Sequence, residues 1–276
     1  MAGSLSRNLR YDGKVTIVTG GSKGIGEGVV RVFVQNGAKV VFCARVESGK
    51  QLETEVNSES HEGECYFVPC DVNEEDEIKN VINKTVERYG QLDCLVNNAG
   101  WHPPEERIDD VSAESFKKLL NLNLINYFLF AKYALPHLRK TKGNIINMSS
   151  LVAKIGQLHA VTYVTTKGAI DAFTRALAVD EAQHGVRVNS VSPGNVWTPL
   201  WDELSIASGN REAMIKGGEE SQLLGRMGTI EEAGQMCLFL AAEATFCTGN
   251  DLLLSGGAEL NYACKSQLKQ RTNIYE

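Results

Sequence analysis

The chain has 276 residues, of which 43% are hydrophobic and 22% charged, and its formal net charge is −6. This composition is typical of a globular protein, and the negative charge gives no electrostatic basis for binding nucleic acid or an anionic membrane. The sequence contains no run of about 18 apolar residues, so we expect no membrane-spanning helix. The seven cysteines lack the paired spacing of a metal site. We expect reduced thiols and a cytoplasmic protein.

The first strand is predicted at residues 14–19, a β-branched run that ends in glycines. A helical pattern follows over residues 24–36 and is stopped by Gly37, and a second strand is predicted at residues 39–43. Together these elements form one strand–helix–strand unit, which is the setting that a nucleotide-binding glycine loop requires.

The alternation of strand and helix continues along the chain. Further strands are predicted at residues 65–68, 92–96, 144–148, 186–191 and 252–254, and helices at residues 47–56, 73–89 and 113–138, then around Tyr163 as far as residue 183, and at 230–242. Strands that are apolar at successive positions indicate a parallel sheet covered on both faces. We therefore predict an α/β fold, a Rossmann-type doubly wound sheet of seven parallel strands in a single domain.

That domain is expected over residues 13–262, after an N-terminal extension (1–12) and before a polar C-terminal tail (263–276). Residues 119–138 are apolar nearly all round, so this helix should be buried on both sides, either within the monomer or against another subunit. Residues 196–228 read as a long irregular segment, which we interpret as a lid over the ligand crevice.

The glycine-rich loop TGGSKGIG occupies residues 19–26. Its glycines let the backbone approach a pyrophosphate, and the helix that begins near Gly24 offers free N–H groups and the positive end of its dipole. A glycine-rich turn without a ligand is the alternative interpretation of this loop taken alone.

Tyr163 and Lys167 are four residues apart on a predicted helix and therefore lie on one face, one turn apart. A lysine ammonium beside a phenol favours the phenolate, so we expect the pKa of Tyr163 to fall from about 10 toward neutrality, where a general acid/base works best. Ser150 lies thirteen residues upstream, at the end of a predicted strand.

These motifs, in this order, resemble those of the short-chain dehydrogenase/reductase family. The resemblance extends over about residues 13–260 and rests also on CDV at 70–72, NNAG at 97–100, Asn123 in NLNL, and Pro193-Gly194 followed by Thr198. It implies an enzyme that moves hydride between a nicotinamide cofactor and a secondary alcohol or carbonyl. The alternative is a non-catalytic dinucleotide-sensing or interaction protein on the same fold.

The resemblance implies four catalytic residues. Tyr163 would donate or accept the proton, and Lys167 would lower its pKa and bond the nicotinamide ribose. Ser150 would hydrogen-bond the reacting oxygen, and Asn123 would hold a water in a proton relay. Because all four are present, the sequence favours an enzyme over the non-catalytic alternative.

The resemblance also implies which residues bind the dinucleotide. Asp71 would meet the adenine amino group, Asn98 and Gly100 would line the adenosine ribose, and Val196 and Thr198 would bond the carboxamide. Asp71 and Asn98 have plain turn-forming roles as alternatives. The full expected set is Gly20, Ser22, Lys23, Gly24, Ile25, Gly26, Arg45, Asp71, Val72, Asn98, Gly100, Tyr163, Lys167, Val196, Thr198 and Leu200.

A closer similarity within the family, to hydroxysteroid and aldose dehydrogenases, is carried by residues 101–104, 193–201 and 246–249. It implies a substrate that is either a hydroxysteroid or a sugar, while the family resemblance as a whole implies a homotetramer. The residues implied to line the substrate pocket are His102, Ser150, Gln157, Trp201 and Tyr262.

The end of the second strand bears on the choice of dinucleotide. NAD-preferring relatives carry an acid there that holds the ribose hydroxyls, whereas this chain has Ala44 followed by Arg45. Lys23 adds a second cation in the glycine loop. Because an arginine binds a 2′-phosphate through charge-assisted hydrogen bonds, these residues favour NADP(H), while the closer resemblance implies NAD(H).

Overall fold

A seven-stranded sheet forms the middle layer of residues 9–45 and 48–260, which are the residues that the computed structural model describes. All neighbouring strands pair in parallel, in the order β3-β2-β1-β4-β5-β6-β7. The strands are β1 (Val15–Thr19), β2 (Lys39–Ala44), β3 (Glu64–Pro69), β4 (Cys94–Asn97), β5 (Asn144–Met148), β6 (Arg187–Pro193) and β7 (Asp251–Leu254). The predicted doubly wound parallel sheet is confirmed.

Helices cover both faces of the sheet. They are α1 (Gly24–Gln35), α2 (Ser48–Ser58), α3 (Glu75–Tyr89), α4 (Ala113–Leu120), α5 (Asn126–Thr141), α6 (Val152–Ile155), α7 (Val161–Glu181), α8 (Pro199–Ala207), α9 (Arg211–Glu220) and α10 (Ile230–Ala242). Across the described part of the chain, none of them is long and apolar enough to cross a membrane.

The two faces explain why the strands are apolar at successive positions. In β1, the side chain of Val18 packs into the core cluster that holds Phe33 of α1, whereas Ile17 packs into the opposite cluster with Phe130 of α5. Successive side chains of a strand point to opposite faces, so a sheet covered on both sides has no polar alternation.

The strand order reverses between β1 and β4, and this reversal fixes where the site lies. The two strands pair in register, with Val18 opposite Val96, so their carboxyl ends lie side by side. Doubly wound sheets bind ligands in the crevice outside the carboxyl ends of the strands at such a point. The glycine loop leaves β1 here, and the NNAG segment leaves β4.

The helix predicted over residues 113–138 is interrupted. A π-helical turn, Asn121–Ile125, separates α4 from α5, and such turns recur at functional sites. The turn buries Asn123 completely, while Ile125 and Phe128 remain 41% and 48% exposed. The outer side of this helix, which was expected to lie either within the monomer or against another subunit, is therefore partly exposed among the residues described, and its burial against another subunit stays a prediction.

The segment 196–228 was expected to be irregular, and this expectation is wrong because the segment contains α8 and α9. The Thr198 hydroxyl caps α8 by accepting a hydrogen bond from the Trp201 N–H, and the Asn210 side chain caps α9 in the same way from Ala213. Each cap satisfies a backbone donor that a helix start leaves free. Gly209, with φ of 74°, lets the chain turn between the two helices.

Two helical glycines of this fold should respond oppositely to a methyl group. A Cβ built on Gly28 of α1 would lie 2.1 Å from the Ile230 carbonyl oxygen, at the crossing with α10, whereas one built on Gly217 of α9 meets nothing within 4 Å. We expect Gly28→Ala to destabilise the protein by about 1–3 kcal/mol through overpacking. Gly217→Ala should stabilise it by roughly 0.5–1 kcal/mol. Urea unfolding midpoints check both, and equal midpoints for the two variants would contradict the close helix crossing.

Candidate active site

The hydroxyl groups of Tyr163 and Ser150 meet at the carboxyl end of the sheet. Tyr163 lies in the first turn of α7 and Ser150 follows β5, and the Ser150 side chain lies close enough to the phenol to influence its pKa. Lys167, one turn further along α7, has its Nζ 5.7 Å from the centre of the Tyr163 ring and donates a hydrogen bond to the Met148 carbonyl oxygen at 2.8 Å. The structure thus brings together the three residues whose spacing suggested acid/base chemistry.

The pKa values of this pair are set by burial. Burial raises the pKa of Tyr163 to about 12, although the hydrogen bond from Ser150 opposes the rise. Burial also lowers the pKa of Lys167 to about 8, and the charge of Asp171 opposes that fall. The expectation that Lys167 brings the Tyr163 pKa toward neutrality is wrong in this arrangement, because desolvation of the buried phenol raises its pKa and the Lys167 ammonium is hydrogen-bonded to the Met148 carbonyl.

Asn123 holds the chain segment that follows β4. Its side-chain oxygen accepts a hydrogen bond from the Trp101 N–H at 2.9 Å, and its side-chain nitrogen donates to the Trp101 carbonyl at 3.0 Å and to the Thr166 hydroxyl at 3.2 Å. The π-helical turn points this amide inward. Asn123 therefore connects the NNAG segment to α7, immediately before Lys167.

The glycine loop has the shape of a cradle that side chains would fill. A Cβ on Gly21 would lie 2.6 Å from the Phe42 Cβ, and one on Gly26 would lie 2.2 Å from the Gly20 carbonyl oxygen. Gly20 and Gly24 have positive φ angles of 65° and 60°. No side chain caps the N-terminus of α1, so its first N–H groups are available to an anion. These features fit a pyrophosphate, and a nicotinamide dinucleotide carries one.

Thr19 and Asn98 brace this loop from below. The Thr19 hydroxyl accepts hydrogen bonds from the N–H groups of Asn98 and Ala99, both at 2.9 Å. In return the Asn98 side chain donates to the carbonyls of Thr19, at 2.9 Å, and Gly20, at 3.2 Å. Thr19 opens the glycine-loop motif but was not among the residues expected to form the site. A hydroxyl residue that ends a strand just before the glycines is the signal that identifies it.

The remaining residues expected to bind the dinucleotide surround this cradle. Arg45 and Lys23 are exposed, and Lys23 Nζ lies 3.7 Å from Glu203 of α8. The Asp71 carboxylate accepts hydrogen bonds from Asn73. Thr198 approaches the loop closely, since a Cβ added to Gly24 would lie 3.6 Å from the Thr198 Cβ. Val72 and Val196 are buried, Ser22, Ile25 and Leu200 are half-buried, and Gly100 is exposed.

The expected substrate residues are only partly brought together. The rings of His102 and Tyr163 have their centres 4.1 Å apart at 45°, and His102 Nε2 lies 3.1 Å from the Gln157 side-chain oxygen. His102 therefore adjoins the Tyr163 ring, and Gln157 reaches it through His102. The Trp201 ring packs against Gly218 of α9. Tyr262 lies outside the described residues.

Comparison with known proteins gives a consistent picture. A family model described as enoyl-(acyl carrier protein) reductase matches residues 20–259. The L-fucose dehydrogenase of Bos taurus is 51% identical over 263 residues, which are 95% of each chain. That of Mus musculus is 52% identical over 258 residues, covering 93% of this chain and 92% of the relative.

Two solved structures of sugar-converting enzymes are also similar. Ligand-free aldohexose dehydrogenase of Thermoplasma acidophilum has a TM-score of 0.83 at 29% identity, covering 94% of this chain and 98% of that one. L-Sorbose reductase of Gluconobacter frateurii, complexed with NADPH and L-sorbose, has a TM-score of 0.87 at 25% identity, covering 93% of this chain and 100% of that one.

Proposed function

The chain belongs to the short-chain dehydrogenase/reductase family, and from this premise we propose that it is an NAD(P)-dependent dehydrogenase that oxidises L-fucose or a closely related aldose. The observation that carries the proposal is the similarity to L-fucose dehydrogenases along nearly the whole of both chains. The juxtaposed Tyr163 and Ser150 side chains support it, because they supply the groups that such an oxidation needs. Residues 13–262 would form the catalytic domain, with 196–228 as its lid.

The chain's residues would divide the work of binding the dinucleotide, which supplies the hydride acceptor when bound. The glycine loop and the N-terminus of α1 would hold its phosphates. Asp71 would meet the adenine, and Asn98 and Gly100 the adenosine ribose. Lys167 would bond the nicotinamide ribose, and Val196 and Thr198 would bond the carboxamide.

We propose that Tyr163 is the general base of the oxidation. Its phenolate oxygen takes the proton of the sugar hydroxyl while the hydride leaves the same carbon, and the hydroxyl carbon becomes a carbonyl of the lactone or ketone product. Ser150 holds the reacting oxygen. Since the Tyr163 pKa is about 12 without ligand, it must fall for the phenol to act near neutral pH. The charged Lys167, one turn away, is the group able to lower it.

Asn123 would bind a water molecule that takes part in a proton relay. Its side-chain amide already bonds Trp101 and Thr166, so we assign the contact with water to its main-chain carbonyl. In this role the side chain fixes the turn, and the backbone serves the relay.

A sugar fits the polar edge of the site better than a steroid does. His102 lies beside Tyr163 and Gln157 lies beside His102, and both would offer hydrogen-bonding groups to neighbouring hydroxyls of a polyol. Trp201, which would otherwise provide an apolar wall, packs into the lid against Gly218. A 17β-hydroxysteroid remains the second substrate class to be tested.

We propose that the preferred dinucleotide is NADP(H). Ala44 ends β2 without a carboxylate to bond ribose hydroxyls or repel a phosphate. Arg45, which follows β2, and Lys23, in the glycine loop, are both exposed. A charge-assisted hydrogen bond contributes about 1.5–3 kcal/mol, so a preference of about 10–100-fold follows.

We further propose a homotetramer in the cytoplasm. Phe128 on α5 and Val179 on α7 expose apolar surface on one side of the chain, and Phe239 on α10 does so beside the edge strand β7. Two separate apolar faces suit the two kinds of contact in a tetramer with two-fold axes. All six cysteines in the described part of the chain are free, which is typical of a reducing compartment.

The substrate class is tested by a panel of L-fucose, other aldoses and 17β-hydroxysteroids, each with both dinucleotides. We expect the highest kcat/KM for L-fucose or a close aldose. Tyr163→Phe should lower kcat by about 10²–10⁴-fold, because the general base is lost, while dinucleotide affinity changes little; Tyr66→Phe, on β3, is the control. Higher efficiency with steroids would select the other substrate class, and dinucleotide binding without any turnover would indicate a sensing protein.

Cofactor choice is tested by Ala44→Asp combined with Arg45→Ala. The new carboxylate should bond the ribose hydroxyls of NAD and repel the 2′-phosphate, so the ratio of kcat/KM values should move toward NAD by at least about tenfold. Glu62→Ala, on an exposed loop, is the control. A parent enzyme that already prefers NAD, or a ratio that the double change leaves unmoved, would show that the β2 end does not discriminate.

The oligomeric state is tested by light scattering at micromolar concentration. We expect four chains per particle in the parent, and smaller particles after Phe128→Lys or Phe239→Lys, because a charge buried in an apolar interface is costly. Glu62→Lys should leave the particle unchanged. A stable monomer of the parent would contradict the proposal.

A further inference from the structure

Two lysines and two aspartates form a charged cluster next to Tyr163, in the order Asp251, Lys154, Asp171 and Lys167. Lys154 Nζ lies 2.9 Å from Asp171 Oδ2 and 3.2 Å from Asp251 Oδ2. Asp171 follows Lys167 by one turn of α7, so the two side chains lie on the same face of the helix. Asp171 and Lys167 are only 4% and 5% exposed. The charges of the four groups balance, with two cations and two anions.

The chain of charges joins three elements around the site. Lys154 lies in α6, just after Ser150, while Asp171 belongs to α7 and Asp251 begins β7. The Asp251 carboxylate is fixed by hydrogen bonds from the hydroxyls of Ser190 and Ser192, each at 2.8 Å. Lys154 is therefore shared between two buried carboxylates and neutralises only one of them. The second cation near this pair is Lys167.

The Asp171 carboxylate is not fully satisfied by Lys154. Its Oδ1 is buried and has no hydrogen-bond partner among the residues that the structure describes. Burying such an oxygen is unfavourable. A role confined to holding α6 against α7 would require only the bond between Lys154 and Asp171 Oδ2, so the unpartnered Oδ1 on the same helix face as the buried Lys167 is the feature that needs explanation.

We propose that Asp171 is a positioning residue of the reaction: its carboxylate, held in place by Lys154, keeps the Lys167 ammonium charged at its buried position. This inference rests on the proposed function, in which Lys167 must be charged to bond the ribose and to favour the phenolate of Tyr163.

The physical basis is the balance between burial and charge at Lys167. Burial lowers the pKa of Lys167 to about 8, and the Asp171 charge raises it. Without that charge the pKa falls further, so more of the lysine is neutral near pH 7–8. Without the Lys154 cation, the Asp171 charge would act on Lys167 uncompensated, so we expect the pKa of Lys167 to rise. The two changes thus act with opposite sign.

Other titratable groups also face this position. The Lys167 Nζ lies 5.9 Å from the Tyr127 ring of α5 and 5.7 Å from the Tyr163 ring. Burial raises the pKa of both phenols, so neither carries a charge at neutral pH. The titratable groups around Lys167 and Asp171 in the described chain are Tyr163 of α7, Tyr127 of α5, Lys154 of α6 and Asp251 of β7.

The kinetic test compares the pH dependence of kcat/KM in four variants, with the aldose that the panel selects and the preferred dinucleotide. Asp171→Asn should move the alkaline limb to lower pH by about one unit, a tenfold change in the ratio of charged to neutral lysine. Lys154→Met should move that limb to higher pH, and Lys154→Arg should leave it in place. Asp180→Asn, the same chemical change at an exposed position of α7, is the matched control.

Opposite displacements of the limb in Asp171→Asn and Lys154→Met would support the inference. A purely structural role predicts a loss by the same factor at every pH, or displacement in the same direction in both variants. Either result would overturn the assignment of Asp171, even in an enzyme with full dehydrogenase activity.

A second measurement needs no activity. Since the folded pKa of Lys167, about 8, lies below its ordinary value of 10.5, the unfolded chain binds more protons between these values and stability rises with pH in that window. The free energy of unfolding is measured by urea titration at a series of pH values, and the values for Lys167→Met are subtracted to isolate the contribution of Lys167. The rise in this difference should begin at lower pH in Asp171→Asn. If the parent oxidises no sugar, the proposed function fails while this measurement still decides whether Asp171 sustains the charge. An unmoved onset would overturn it.

Discussion

The site depends on the reciprocal hydrogen bonding between the carboxyl ends of β1 and β4. The Thr19 hydroxyl accepts hydrogen bonds from two N–H groups of the NNAG segment that follows β4. The Asn98 side-chain amide donates hydrogen bonds to the two carbonyls that begin the glycine loop. From there the chain passes to Trp101, which Asn123 holds through both backbone groups, and Asn123 bonds Thr166 next to Lys167. Hydrogen bonds, linked through the backbone of residues 98–101, therefore connect the glycine loop to the turn of α7 that carries Tyr163 and Lys167.

The sequence was sufficient to predict the elements that periodicity and glycines define. The seven strands and the strand–helix alternation are confirmed because a doubly covered parallel sheet favours strands that are apolar at successive positions, as residues 40–43 of β2 are. The helices α8 and α9 escaped prediction because their starts depend on single caps, Thr198 and Asn210, in a glycine-rich segment. The π-helical turn escaped because its residues fit an ordinary helical pattern.

The sequence was sufficient to predict which residues come together at the site, but not the pKa values of their side chains. Tyr163, Ser150 and Lys167 meet as their spacing suggested, yet the direction of the Tyr163 pKa depends on burial, which no motif encodes. Lys154, Asp171 and Asp251 are far apart in sequence and come together only through the packing of α6, α7 and β7. Sequence spacing shows only which residues are neighbours within one helix or strand, so it does not predict ion pairs between distant parts of the chain.

The crossing of α1 and α10 has a consequence for how the protein is made. Gly28 and Gly234 bring the two backbones into contact, so the apolar side of α1, including Phe33, is covered by residues near the end of the chain. During synthesis at about 5–20 residues per second, the glycine loop leaves the ribosome long before its covering helix exists. The nascent chain therefore exposes an apolar surface for on the order of ten seconds or more at that rate, and it is in this interval that chaperones have reason to bind it.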